Sequence, residues 1–248
     1  LASPTSPSSS ANTSNAQPAL SGLTSTKSSS LSRLLLPICV RPEAKFFPET
    51  ILSFVDMLHL KDFKDKAVAA LVPDLIPPTM AILAQFGPCN LPLAQNLLAA
   101  LHIFAKVEPS RSCINANDGM KIVCDILKKH EMDLFVQLEG ISTIWHLSAH
   151  DAQRSVVESL PLEEVIIMAI EHFVQRSSLV LVALGALWNL SWLSDKCSAR
   201  IAPHMDKLFC IQRMYLTNEQ IQCNICGLLW NVATHPTLAP TLAKLNPI

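Results

Sequence analysis

The chain has 248 residues, half of them hydrophobic and only 16% charged, with 19 basic against 20 acidic side chains. That balance excludes a protein gripping nucleic acid through bulk positive charge, and no nucleic-acid partner is expected. The longest apolar stretches, residues 165–170 and 179–187, fall well short of the ~18 residues needed to span a bilayer, so no membrane insertion is expected despite a mean hydropathy of +0.32.

The first thirty residues hold eleven Ser, four Thr and three Pro against one charge, Lys27. Such a segment buries too little apolar surface to offset its ordering entropy, so residues 1–30 read as a disordered linker, with Thr5-Ser6-Pro7 as a candidate phosphorylation site. The chain opens Leu1-Ala2-Ser3-Pro4, without a signal peptide or initiator methionine, and reads as a piece of a longer polypeptide in an intracellular, cytoplasmic setting, with nucleus or cilium as further settings. From Leu31 onward apolar residues recur at i, i+3, i+4 and i+7, which predicts short helices, while no alternating run predicts a strand. Pro48 and Pro161 sit where helices begin, and Pro73, Pro77 and Pro78 are expected to break the chain after Val72. Eight cysteines could support a disulfide framework, but Cys39, Cys124, Cys210, Cys223 and Cys226 lie in apolar helical patterns and read as core thiols in a reducing compartment.

Self-comparison gives the strongest signal. The phrase around Gly140-Ile141-Ser142-Thr143-Ile144-Trp145-His146-Leu147-Ser148 returns as Gly185-Ala186-Leu187-Trp188-Asn189-Leu190-Ser191 and as Gly227-Leu228-Leu229-Trp230-Asn231-Val232-Ala233. The tryptophans lie 43 and 42 residues apart; one step back reaches His102 and another, more weakly, His59. A period in the forties on a helical background predicts an α-solenoid of armadillo or HEAT kind. Each period also divides in three: 149–159, 162–175 and 178–192, then 195–201, 205–216 and 218–234. The segment from Pro236 to Leu245 reads as the start of a further unit.

Three helices per unit favour armadillo over HEAT. The Trp-Asn-Leu phrases resemble the third helix of armadillo repeats, and Asn117-Asp118-Gly119-Met120-Lys121-Ile122-Val123 is similar to the start of that family's second helix. The resemblance covers residues 90–235 well and 31–90 by period and composition. It implies an all-α, right-handed α-solenoid of about four to five three-helix repeats over residues 31–248, part of a longer array. It also implies a concave groove in which Asn189 and Asn231 hydrogen-bond the backbone of an extended peptide, with His146 in the matching place and Asn224 two turns before Asn231. Where importin-like armadillo proteins carry Trp four before the Asn, this chain has Gly185 and Gly227, and the Trp-Asn order is closer to the β-catenin and adenomatous-polyposis-coli style.

Trp192, four past Trp188 and near a helix end, reads as an exposed aromatic anchor; Trp145, Trp188 and Trp230 either wedge between repeats or line the groove. The asparagines have a second reading too, as ties between adjacent helices.

Motifs for chemistry are weak. Cys223-x-x-Cys226 lies mid-helix without a second ligand pair, and His146 with His150 has no third ligand, so no metal is expected. With 6 glycines the chain has no phosphate-cradling loop and no nucleophile elbow, and neither cofactor nor catalytic residue is assigned. The expected function is a non-catalytic scaffold or adaptor holding a segment of a partner protein within a larger complex, with a cytoskeletal or ciliary assembly as one setting. A ubiquitin-ligase substrate adaptor is the alternative, and an enzyme with an unrecognised site a remote one.

Overall fold

The computed structural model describes residues 66–149 and 153–235. The expectations for residues 1–30, for Pro48, Cys39, His59 and His150, and for a further unit after Pro236 lie outside the described residues. Within them the chain is almost wholly helical, with no strand. The helices are α1 (Lys66–Phe86), α2 (Leu91–Ala105), α3 (Glu108–Ala116), α4 (Gly119–Lys129), α5 (Leu134–Leu147), α6 (Arg154–Ser159), α7 (Leu162–His172), α8 (Ser177–Leu193), α9 (Asp195–Ile201), α10 (Met205–Met214) and α11 (Glu219–Thr234). Short 3₁₀ turns, Gly87–Cys89 and Ala202–His204, follow α1 and α9.

After α2 the helices recur as triplets, each a short helix, a medium one and a long one: α3–α5, α6–α8 and α9–α11. The predicted segments of the second and third triplets begin and end within a few residues of these helices, with one exception. The start of segment 149–159 runs through residues outside those described, and α6 begins at Arg154. Pro161 caps α7. The long helices share a start signal that also repeats. Asn90, Asp133 and Asn218 each accept a hydrogen bond from the third amide beyond them, at Leu93 (3.1 Å), Val136 (2.8 Å) and Ile221 (3.1 Å). At α8 the cap is Arg176, without such a bond. The turn into α4 is fixed by its glycine: Asp118 is left-handed (φ 56), and a Cβ on Gly119 would come within 2.7 Å of the Ile114 carbonyl oxygen.

Two expectations are corrected. Helix α1 runs through Pro73, Pro77 and Pro78 instead of ending at Val72. Ile76, Met80 and Leu83 lie on one face and are fully buried, so packing against α2, α3 and α4 holds the helix through amide positions that donate nothing. The cysteines divide: Cys124 is buried, but Cys210, Cys223 and Cys226 are exposed. Their helices are open on those sides, and an apolar neighbourhood in sequence did not mark which side.

The long helices are the spine. Helix α5 packs against α2, α8 against α5, and α11 against α8, while α4 lies on α7. The core runs between them through Leu98, Leu101, Ile141, Ile144, Leu187, Leu190, Leu228 and Val232, all buried. Outside the spine, a buried charge ties the second triplet to the third. Glu163 is fully enclosed and receives two hydrogen bonds of 3.0 Å from Arg200, which also donates to the carbonyls of Val157 and Glu158. No helix among the described residues is long and apolar enough to cross a membrane.

Candidate functional site: the tryptophan cleft on the long helices

The second and third phrases perform the same mechanical task. The Trp145 indole lies on Gly185, where a Cβ would stand 2.9 Å from its ring, and the Trp188 indole lies still closer on Gly227. Glycine at 185 and 227 therefore admits the aromatic ring of the preceding long helix, not merely a helix backbone. Four residues past each glycine an asparagine completes the lock. Asn189 Nδ2 donates to the Trp145 carbonyl at 3.1 Å, and Asn231 Nδ2 donates to the Trp188 carbonyl at 3.3 Å and to Ser191 Oγ at 2.8 Å. Two turns earlier on the same face of α11, Asn224 Nδ2 donates to the Leu181 carbonyl at 3.0 Å.

The expected ladder of free amides is corrected by these contacts. Asn231 is 8% exposed and both of its amide protons are engaged, so it has no donor left for a ligand. Asn224 and Asn189, both half-buried, are each tied by one N–H, to α8 and to α5, and each keeps its other N–H and its carbonyl oxygen outside the lock. The physical reason is the length of the side chain. A mid-helix amide facing a helix at packing distance meets that helix's carbonyls before it meets solvent.

His146 is placed differently from its counterparts. Its ring stacks on His102 at 5.5 Å and against Trp145 at 5.8 Å, and His102 Nδ1 lies 2.7 Å from Glu139 Oε2. Burial, with the positive charges of His102, Lys106 and Arg111 nearby, lowers the His146 pKa to about 4, so it is neutral near pH 7. At this end the long-helix surface therefore offers a neutral imidazole and a His–Glu pair instead of indoles.

At the other end the indoles are open. Trp192 is 71% exposed, as expected, and Trp230 is 70% exposed rather than wedged. With Trp188, Asn189, Gly227 and Asn231 they line a cleft of about 370 Å³ between α8 and α11. The expected site residues thus separate into two groups. Asn189, Trp192 and Asn231 meet at this cleft, whereas His146 belongs to the histidine cluster and Asn224 to the α8–α11 seam. Sequence reasoning missed the His102–Glu139 pair, although His102 stands one period before Trp145 and Glu139 one residue before Gly140.

Chemically the cleft presents two large aromatic faces beside one partly available amide, suited to an apolar or cationic side chain flanked by a peptide bond. Among the described residues no three His, Cys, Asp or Glu side chains converge as a metal site. Neither a protein-family model nor a curated protein matches the chain.

Proposed function

We propose that the chain is a non-catalytic protein-binding scaffold, a right-handed solenoid of the armadillo kind, that holds an extended segment of a partner protein across its long helices. Support for the solenoid comes from three helix triplets in succession and from an interlock that recurs 42–43 residues on, Asn189 on Trp145 and then Asn231 on Trp188. The reading of function rests on one observation: Trp192 and Trp230, two large apolar side chains, stand more than two-thirds exposed on either side of one cleft. Exposed aromatic side chains in a concave setting are the commonest energetic anchors of protein interfaces. In this role Trp192 is the anchor, the free half of the Asn189 amide meets a peptide bond of the ligand, and Asn231 holds the cleft wall rather than the ligand.

The test is to pan a displayed library of natural disordered segments on the whole chain and to measure the selected peptides by calorimetry. Trp192→Ala should weaken them at least tenfold with no change in the unfolding midpoint. Peptides that bind wild type and Trp192→Ala alike would refute the assignment.

A further inference from the structure

The end of the stack carries a second surface, which borders the cleft and shares Trp230 with it. The residues that meet the next long helix keep one register. Trp145 of α5 meets Gly185, and on α8 Trp188 meets Gly227 while Ser191 and the Leu181 carbonyl meet Asn231 and Asn224. Leu138 and Ile141 of α5, and Ser148 just past its end, stand in register with Leu181, Leu184 and Ser191. Ile141, Leu184, Ser148 and Ser191 are buried, and Leu138, Leu181, Trp145 and Trp188 are partly buried against the core. The same register on α11 is Cys223, Cys226, Trp230 and Ala233, and all four are exposed. Leu216, in the turn after α10, is also 69% exposed, whereas Val174, one period earlier, is half-buried. The outer face of α11 therefore continues an interface that the chain makes twice.

The two made interfaces also specify what fits. Each indole rests on a glycine, and the residue four further on is an asparagine donating to the carbonyl of that same tryptophan. A side chain in place of either glycine meets the ring, so alanine or anything larger is a poor substitute. We infer that the outer face of α11 binds a partner helix carrying Gly-x-x-x-Asn, its glycine under the Trp230 indole and its amide on the Trp230 carbonyl. The helix comes from outside these 248 residues. Gly-x-x-x-Asn occurs in them only at Gly185–Asn189 and Gly227–Asn231, both already engaged, and residues 236–248 contain no glycine. Ala233, in place of the Ser191 that takes the second Asn231 proton, leaves the incoming amide a single acceptor.

The experiment uses the whole chain and a dye-labelled, stapled peptide of residues 219–234 bearing Cys223→Ser and Cys226→Ser, which keeps the glycine and asparagine in register. Saturable binding is expected by anisotropy, with maleimide labelling of Cys223 and Cys226 in the chain slowed by the peptide. Gly227→Leu in the peptide should weaken binding at least tenfold. So should Ala233→Glu in the chain, an exposed position whose replacement leaves folding intact. Trp192→Ala should change nothing, which separates this surface from the cleft proposed above. Absent binding, or equal affinity of the glycine and leucine peptides, overturns the inference. So does a dimer in sedimentation that Ala233→Glu dissociates, which would make the occupant a second copy. Slow labelling of the two cysteines that becomes fast once residues 236–248 are removed would also overturn it, since the chain would then cover the face itself.

Discussion

Asn231→Ala separates a structural amide from a ligand-binding one. The substitution deletes two hydrogen bonds, 3.3 Å to the Trp188 carbonyl and 2.8 Å to Ser191 Oγ, at a position 8% exposed. At ~0.5–1.5 kcal/mol each the loss is about 1–3 kcal/mol. The Trp188 carbonyl keeps the hydroxyl of Ser191, 2.7 Å away, so no acceptor is stranded and the cost stays within that range. Asn189→Ala, with one bond from a half-buried amide, should cost about 1 kcal/mol or less. Asn231→Asp should be worse than alanine although it is isosteric, because a carboxylate oxygen would then face the Trp188 carbonyl oxygen in a buried site. Urea unfolding followed by circular dichroism reads all three. If Asn231→Ala unfolds with wild-type midpoint while a cleft peptide binds tenfold more weakly, the amide serves the ligand and the lock described here is wrong.

Four further outcomes are expected. Gly227→Ala should lower stability by about 1–3 kcal/mol despite a helix-propensity gain of ~1 kcal/mol, and by more than Gly185→Ala, because Trp188 sits closer to its glycine than Trp145 does; thermal melts of the two variants test the order. Arg200→Met should cost ~3–5 kcal/mol by leaving Glu163 buried without its partner, and adding Glu163→Gln should recover a large part of that loss in the same unfolding assay. Because His146 is held near pKa 4 against a usual 6.5, the unfolded chain takes up its proton first as the pH falls. Stability should therefore decline from about pH 6.5 towards 4, and His146→Asn should flatten that part of the profile. Finally, N-ethylmaleimide at neutral pH should modify Cys89, Cys210, Cys223 and Cys226 in the native chain but spare Cys124 and Cys197, whose thiols burial pushes up to about 11 and about 12; mass spectrometry before and after denaturation reads this.

Much of the helical layout was legible because its signals are local and periodic. Helix bounds near Asp195, Ile201 and Thr234 follow from apolar spacing, and the 43- and 42-residue steps align α5, α8 and α11. A further periodic signal, the caps at Asn90, Asp133 and Asn218, was present in the sequence and went unread. What was not legible depends on which neighbour a side chain meets. Cys226 and Leu184 occupy one register position, yet one is exposed and the other buried, because among the described residues α8 has a long helix beyond it and α11 has none. The path of α1 through three prolines was missed for a similar reason. Local rules end the helix at Val72, while burial of Ile76, Met80 and Leu83 continues it.

The same logic decides what the repeated phrase is for. Gly, Trp and Asn recur because adjacent helices must pass closely: Trp145 and Trp188 are each answered by the glycine and the asparagine of the next long helix. A motif consumed by its own repetition has little left for a partner, which is why the amide of Asn231 is a poor ligand donor. Binding capacity then lies where the repetition is broken. Trp192 has no counterpart tryptophan at the equivalent Ala149 or Thr234, and its indole stands free beside the cleft. Trp230 keeps the phrase but meets no glycine among the described residues. His146 stands where the other two phrases carry asparagine, and it exchanges an interhelical amide for a stacked imidazole. These three departures, rather than the consensus positions, are where substitution should change recognition more than stability.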